Sequence, residues 1–235
     1  MDTNPPHSVL PCGQGALFQE SRLLGLRAIG DGAGEIFTDS LRDLVSPTDN
    51  RLLEAVYDLD QIAAEIDRDR LGRVRSMWEW SFLLPQREPA RLVTMVEGAT
   101  PLIKTECLGE VLGFRRLYIK DEGRNPTGSF KDRGSSVTVS KCNEIGHDSI
   151  VVASSGNLAC SLAAYCARAG IACTIAISDG TPVGKRLGSK GYDRWAPFGP
   201  VIVWRSTSYS YEFSLSAAQS AIYAYEQSGD TEMLR

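Results

Sequence analysis

Ser149-Ile150-Val151-Val152-Ala153 is a short apolar run, rich in β-branched residues, that ends in the polar loop Ser154-Ser155-Gly156-Asn157. The Ala-rich segment from Leu158 to Arg168 is a predicted helix that stops at Gly170, and Ile171 to Ile177 is a second apolar strand. A strand–loop–helix–strand order of this kind predicts two parallel strands joined by a right-handed crossover. We therefore predict an α/β fold built on a parallel sheet with flanking helices.

A second polar segment precedes this unit. It is Asn125-Pro126-Thr127-Gly128-Ser129-Phe130-Lys131-Asp132-Arg133-Gly134, and it follows the strand-like run Leu117-Tyr118-Ile119-Lys120. Ser129 is predicted to open a helix, with Asp132 as the acidic half of a capping box. Lys131 would then lie among the unpaired amides of the first turn, where an ammonium is disfavoured and the nucleophilic neutral amine is favoured. Most lysines at helix starts are solvated surface charges, so spacing alone does not assign a function.

Both polar segments follow the ends of predicted strands. In parallel sheets, ligands bind outside the carboxyl ends of the strands, so this topology would bring Lys131 and the Ser154–Asn157 loop to one edge. Gly156 permits close backbone approach, and hydroxyls with helix-start amides can cradle an anion. A plain helix-capping loop has the same sequence character. Two motifs that converge on one cleft are a stronger indication than either motif alone.

The segment from Asn125 to Gly134 resembles, residue for residue, the cofactor-lysine motif of the threonine synthases, in the fold type II (tryptophan-synthase-β) family of pyridoxal-phosphate enzymes. Glu97-Gly98-Ala99-Thr100-Pro101-Leu102 is similar to the Glu-Gly-x-Thr-Pro-Leu signature of that family. The Trp-containing block Ser76 to Pro85 also resembles it, although such a block is usually core. The resemblance covers about residues 52–180 and continues loosely through Thr181-Pro182-Val183-Gly184-Lys185.

The resemblance implies roles for individual residues. Lys131 would bind pyridoxal 5'-phosphate covalently and act as the base at the substrate Cα, and Asn157 would hold the cofactor's ring hydroxyl. Ser154 and Ser155 would receive the substrate's carboxylate or phosphate. Leu158 departs from the small or hydroxyl residue common at its position, which affects the substrate end of the loop. The implied reaction converts O-phosphohomoserine and water to threonine and phosphate, with a small amino acid as substrate.

The resemblance also has gaps. Only Cys12 lies upstream of the matching region, so the Cys-rich ribbon that precedes it in many relatives is absent or degenerate. After Arg186 a glycine-broken stretch, residues 188–195, replaces the usual helix, and neither a glycine-rich phosphate loop nor a Ser or Thr for the pyridine nitrogen is recognisable downstream. We therefore expect an incomplete fold type II architecture that leaves apolar sheet surface uncovered.

Three regions are predicted. Residues 1–50 form a partly irregular N-terminal extension in which the piece from Ala16 to Ala28 is a candidate short helix. Residues 51–98 form an N-terminal family segment with a strand at 52–57 and a helix capped by Asp58 or Asp60. Residues 99–235 form the α/β cofactor-binding region, truncated before the second half of the fold, with a last strand at 201–204 and a helix at 214–227.

Three functions stay open. The first is a threonine-synthase-type enzyme present as its N-terminal portion. The second is another fold type II enzyme, such as a serine/threonine dehydratase or a cysteine-synthase relative. The third is a non-catalytic remnant that acts only by subunit association, and self-association as a homo-oligomer is open as well. The ten-residue lysine motif and the Trp-containing lead-in favour the first.

Composition narrows the possible partners. The 235 residues are 43% hydrophobic and 23% charged, with a net charge of −4, which offers no electrostatic case for nucleic acid or a membrane surface. No apolar run reaches the roughly 20 residues that span a bilayer, and no signal peptide is recognisable. The six cysteines are scattered, which fits a reducing cytoplasm, and with two histidines we expect no metal site.

Overall fold

The computed structural model describes residues 19–30, 32, 34–39, 45–66, 75–154, 156–178 and 201–206. The predicted helix at 214–227 and the segments 181–185 and 188–195 lie outside these residues. Strands within the described residues form three small sheets, and in chain order they are β1 (Leu23–Ala28), β2 (Leu53–Tyr57), β3 (Leu102–Lys104), β4 (Tyr118–Lys120), β5 (Ser149–Ala153), β6 (Ala172–Ser178) and β7 (Val201–Ser206). The α-helices in the same residues are α1 (Leu59–Glu65), α2 (Glu106–Leu112), α3 (Lys131–Glu144) and α4 (Asn157–Ala169).

The predicted parallel unit is present. Strands β5, β6 and β7 are neighbours in that order and are parallel, with Ile150 opposite Cys173 and Thr174 opposite Ile202. Helix α4 is the crossover between β5 and β6, and Gly170 ends it in the left-handed conformation. The strand–helix–strand prediction for 149–177 is therefore confirmed to within a residue or two at each boundary.

The parallel sheet does not extend to the other strands. Strand β3 pairs antiparallel with β4, with Leu102 opposite Lys120, and β1 pairs antiparallel with β2. The expectation that the strand before the lysine segment shares a sheet with β5 is wrong. Helix α2 is only 7 residues long and ends at Gly113 in the left-handed conformation, so the chain turns back beside β3 instead of crossing over. Among the described residues the fold is α/β, and the parallel strands there are β5, β6 and β7.

The N-terminal extension also differs from its prediction. The described part of the candidate helix at 16–28 contains strand β1, so a helix there is wrong. Tertiary pairing with β2, some 30 residues later in the chain, overrides the local preference of a leucine-rich segment. The prediction for the next helix holds, because the Asp58 carboxylate accepts from Gln61 N at 2.9 Å and caps α1.

The core lies between α3, α4 and β6. The buried side chains there are mainly apolar and include Val139, Leu162, Tyr165, Cys166 and Ile175. Trp78 and Phe82, in a 3₁₀ helix at Met77–Leu83, are buried too, as an aromatic block of core type should be. None of the described helices is long and apolar enough to cross a membrane.

An apolar surface is open to solvent on the unit formed by β3, α2 and β4. Val111 is 82% exposed, Leu102 63% and Phe114 60%, and Leu112, Ile103 and Ile119 are about half exposed. Exposed apolar side chains at this density are typical of a surface that contacts a partner. The sequence predicts uncovered apolar sheet surface, and that prediction is compatible with the exposure of Leu102, Ile103 and Ile119 on the two strands.

Candidate functional site

Lys131 is the first residue of α3. Phe130 precedes it as the helix N-cap, and its ring is 55% exposed and lies 4.7 Å from Lys131 Nζ, measured to the ring centroid. The helix thus begins two residues later than Ser129, and no side chain caps it. Ser129 Oγ instead accepts from Lys131 N at 3.3 Å. The lysine side chain is part-exposed at a helix start, as its sequence context predicts, but the capping box is wrong.

Asp132 has a different role from the predicted capping residue. Its side chain is fully buried, and its carboxylate accepts hydrogen bonds from Thr127 N at 2.7 Å, from Thr127 Oγ1, and from Ser161 Oγ at 2.6 Å. The loop reaches back to it because Gly128 adopts a φ of 83°, which favours glycine, and donates its N–H to Asn125 O at 2.8 Å. Asp132 therefore fastens the loop that carries the lysine instead of capping the helix.

The loop after β5 leads into α4. Ser154 N donates to Ala176 O at 3.1 Å, which continues the β5–β6 ladder, and Ser154 Oγ accepts from Gly156 N at 3.3 Å. Asn157 is exposed and is the first residue of α4, with Gly156 as its N-cap. Ser155 lies outside the described residues. A helix start with an exposed amide and free N–H groups can receive an anion or a hydroxyl.

Helix packing joins the two segments. Ser161, which bonds Asp132, lies one turn after Asn157 on α4, and Asp132 follows Lys131 on α3. Cys142 near the end of α3 packs against the core that holds Cys166 near the end of α4. The two helices therefore run in the same direction and begin at the same end. The structure brings Lys131 and Asn157 to one side of the molecule through packed helices, not through one sheet edge.

A salt bridge braces the loop from the other side. Arg133 forms two parallel hydrogen bonds to Glu122, Nε to Oε2 and Nη2 to Oε1, both at 2.8 Å, and Nη2 also donates to Thr100 Oγ1 at 3.2 Å. Asn125 Nδ2 donates to Glu122 Oε2 at 2.9 Å. Hydrogen bonding from Arg133 lowers the pKa of Glu122 to about 2, so the carboxylate stays ionised at neutral pH.

Glu97 is the centre of a buried network. Its carboxylate is fully buried and accepts from Trp78 Nε1 at 2.6 Å, Tyr165 OH at 2.6 Å and Met95 N at 2.9 Å, with Thr94 Oγ1 near both oxygens. Burial, with the Glu97 carboxylate beside it, raises the pKa of Tyr165 far above its usual range, so the hydroxyl stays protonated and donates. Helix α4 is thereby tied to the turn that holds the Glu97–Leu102 signature.

This turn is strained. Val96, Gly98 and Ala99 have φ values of 67°, 88° and 47°, in the left-handed region that a β-branched residue such as Val96 rarely adopts. The turn is held by Glu97 and by a hydrogen bond from Gly98 N to Asn125 Oδ1 at 3.0 Å. Strain of this type persists only where surrounding contacts fix it, and it is common at binding sites.

The residues present fit one end of a pyridoxal-type cofactor. An amine at a helix start can bond an aldehyde, and the exposed amide of Asn157 can hydrogen-bond a ring hydroxyl at the start of the neighbouring helix. Ser154, Gly156 and the first N–H groups of α4 supply hydroxyl and amide donors suited to an anion. Lys131, Ser154, Ser155 and Asn157 are the site residues predicted from the sequence, but the contacts that support them were not predicted.

The supporting residues are buried and polar. The sequence assigned Asp132 to a capping box and Glu97 to a signature turn, and it gave no indication of Ser161 or Tyr165. Their contacts join residues distant in the chain, which no local pattern reports. The available signals were weak. Glu97 opens the signature from Glu97 to Leu102, and Ser161 is a hydroxyl residue within a largely apolar, Ala-rich helix.

Comparison with known proteins agrees with this chemistry. Residues 93–195 match the family model described as "Pyridoxal-phosphate dependent enzyme", and pyridoxal 5'-phosphate is the cofactor of that family. The threonine synthase of Methanocaldococcus jannaschii is 43% identical over 131 residues, which are 55% of this chain and 32% of that protein. The threonine synthase of Methanosarcina acetivorans is 45% identical over 131 residues, which are 55% of this chain and 31% of that protein.

The chain is thus similar to threonine synthases over about half of its own length, and it spans about a third of the length of these relatives. Among solved structures, maize serine racemase is similar, with 25% identity and a TM-score of 0.46 over 55% of this chain and 36% of that chain.

Proposed function

We propose that the chain carries the lysine-bearing portion of a pyridoxal-phosphate-dependent lyase of the threonine synthase type. Its reaction would convert O-phosphohomoserine and water to threonine and phosphate, a step of threonine biosynthesis. The observation that carries this proposal is the ten-residue motif from Asn125 to Gly134, which lies inside the segment that matches the pyridoxal-phosphate family model. Relatives of 43% and 45% identity over the matched region, both threonine synthases, support the choice of reaction.

Four residues have proposed roles. Lys131 Nζ would bond the cofactor's aldehyde carbon, and Asn157 would donate its amide N–H to the ring hydroxyl. Ser154 and Ser155 would hydrogen-bond the substrate's carboxylate or phosphate, together with the first amides of α4. The arrangement of α3 and α4 supports these roles, because both helices begin at the same end and are bonded there through Asp132 and Ser161.

Proton transfer would be the main chemical task of the chain. The bound cofactor supplies an electron sink for the pair left behind when a proton departs from the substrate's Cα. Lys131 Nζ would take that proton as general base and would return a proton later in the cycle. The donors of the 154–157 loop would hold the substrate anion still, so that its Cα stays within reach of Nζ.

A substitution of Lys131 tests the cofactor role. Lys131→Ala should abolish both the visible absorbance of protein-bound pyridoxal phosphate and the borohydride-stable adduct found on the 125–134 peptide by mass spectrometry. The matched control is Lys104→Ala, which removes an exposed lysine paired with Glu106, and it should leave both signals unchanged. An adduct that persists in Lys131→Ala would show that another residue anchors the cofactor.

The reaction type is tested by products. A threonine-synthase-type activity releases one inorganic phosphate for each threonine formed from O-phosphohomoserine. A serine/threonine dehydratase would instead release ammonia and a 2-oxo acid, and a cysteine-synthase relative would consume sulfide. Phosphate release without threonine, or deamination of serine, would replace the proposed reaction with one of these alternatives.

A non-catalytic role by subunit association is the second candidate. It is favoured by one observation, the apolar surface of β3, α2 and β4, where Val111 and Phe114 are largely exposed. Association would cover this surface, either with a second copy in a homo-oligomer or with a full-length relative. A pyridoxal phosphate titration combined with light scattering separates the two candidates. The titration measures cofactor binding and light scattering measures association, and a non-catalytic remnant would associate without binding the cofactor.

We also propose a reducing compartment such as the cytoplasm. The described cysteines form no disulfide with one another, and Cys166 and Cys173 are buried in the core beside one another as small apolar residues. Substrate and cofactor are small molecules in this proposal.

A further inference from the structure

We infer that Asp132 is a positioning residue, which sets the place of the Lys131 amine relative to the start of α4. This inference rests on the proposed function. It assigns Asp132 no contact with cofactor or substrate, and its effect is transmitted through Thr127 and Ser161.

The burial of Asp132 calls for an explanation. A carboxylate with no solvent exposure is costly unless hydrogen bonds replace its hydration. Here three donors do so, namely Thr127 N, Thr127 Oγ1 and Ser161 Oγ, and the side chain lies in the first turn of α3, where a negative charge is favoured. An apolar residue would fill the same space at no such cost. The carboxylate is explained if these three donors must be held at fixed positions.

The donors lie on both sides of the lysine. Thr127 is four residues before Lys131, so its two bonds to Asp132 close a short loop that contains the lysine backbone. Ser161 is on α4, one turn beyond Asn157. One carboxylate therefore fixes the loop that presents the amine and the helix that presents the amide.

Loss of this geometry should weaken cofactor capture. If only a fraction of the molecules has the site assembled, the apparent dissociation constant equals the intrinsic one divided by that fraction. Removal of one hydrogen bond to an ionised group should lower that fraction enough to weaken pyridoxal phosphate binding by about tenfold.

Four variants of the full chain test the inference. Ser161→Ala and Thr127→Val each remove one hydroxyl donor to Asp132, whereas Thr127→Ser keeps the donor. Ser140→Ala is the matched control, because Ser140 is a fully buried serine of α3 whose hydroxyl bonds Val93 N at 2.9 Å, away from the lysine loop. The readouts are the dissociation constant for pyridoxal phosphate, the borohydride-trapped adduct on Lys131, and hydrogen exchange of the 125–131 peptide in the cofactor-free protein.

The expected pattern is specific. Ser161→Ala and Thr127→Val should bind the cofactor about tenfold more weakly and exchange faster in the 125–131 peptide. Thr127→Ser should restore both the affinity and the exchange rate. Ser140→Ala should stay within about twofold of the wild-type affinity, because lower stability elsewhere in α3 does not by itself change the conformation of the lysine loop.

Two other results would overturn the inference. If the wild type captures the cofactor on Lys131 and the two donor-removing variants behave like Ser140→Ala, the positioning role is wrong and the proposed function stands. If the wild type forms no adduct on Lys131, the proposed function is wrong and the positioning role fails with it.

Discussion

Removal of the Glu97 carboxylate should show how strongly the signature turn is bonded to α4. Glu97→Gln preserves the side-chain volume but replaces one acceptor oxygen with an NH₂ group that faces donors. The less costly orientation turns this NH₂ toward Trp78, since Trp78 Nε1 also donates to Ser136 Oγ at 2.9 Å and keeps that partner. The remaining amide oxygen can then still accept from Tyr165 OH and Met95 N.

The structure sets the expected magnitude. Glu97→Gln loses one short hydrogen bond to an ionised group and weakens the others, which should lower the free energy of unfolding by about 2–3 kcal/mol. Tyr165→Phe removes the donor at 2.6 Å and should cost about 1–2 kcal/mol. Because Glu97→Gln keeps the bond from Tyr165 but makes its acceptor a neutral amide, the double variant should cost less than the sum of the two single variants by about 0.5–1.5 kcal/mol.

Urea denaturation followed by tryptophan fluorescence measures these values. Tyr118→Phe is the control, because Tyr118 is 46% exposed on β4 and forms no hydrogen bond to Glu97. Its combination with Glu97→Gln should be additive within about 0.3–0.5 kcal/mol. If Glu97→Gln and Tyr165→Phe were additive within the same range, the Glu97 carboxylate would not be a stronger acceptor for Tyr165 than an amide, and the expected coupling would be refuted.

Two further predictions concern the same region. Because the folded pKa of Glu122 is depressed to about 2, its pairing with Arg133 stabilises the protein above the usual glutamate pKa, and that contribution is lost as pH falls through about 2. The loss should be on the order of 1 kcal/mol, since both side chains are a quarter to a third exposed, and a pH series of urea midpoints should fall less steeply in Arg133→Gln. For Gly98→Ala we expect a loss of more than about 2 kcal/mol, because a Cβ would come within 2.7 Å of Met77 N at a φ of 88°. Gly134→Ala, in open space within α3, should instead stabilise by about 0.5–1 kcal/mol, and equal effects of the two substitutions in thermal unfolding would contradict the geometry.

The sequence predicts local structure well where a segment's own pattern decides it. The β5–α4–β6 unit has apolar strands, an Ala-rich helix and a glycine stop, and it forms with nearly the predicted boundaries. Predictions fail where partners distant in the chain decide. The leucine-rich segment at 23–28 becomes a strand because β2 pairs with it, and Asp132 leaves its capping position because Thr127 and Ser161 offer three donors.

The candidate site follows the same rule. Its polar residues were recognisable in the sequence as Lys131, Ser154 and Asn157, but the reason given for their proximity, a common sheet edge, was wrong, because β4 and β5 belong to different sheets. A pattern of single residues cannot reveal which strands pair, since pairing depends on the path of the intervening chain. Here α2 ends in a left-handed turn at Gly113 and reverses that path.

Buried polar bonds, more than the sheet, unite the segments that resemble the pyridoxal-phosphate family. The turn from Glu97 to Leu102 is bonded to α4 through Tyr165, and the lysine loop is bonded to α4 through Asp132. The same loop is bonded to the turn through Asn125. Each pair of segments is therefore joined directly by at least one side-chain hydrogen bond, and two of the three bonds are buried, where an unpaired group would be costly. Such a closed set of bonds constrains the lysine, the loop and the helix start together, because no single segment can move without breaking a bond to each of the other two.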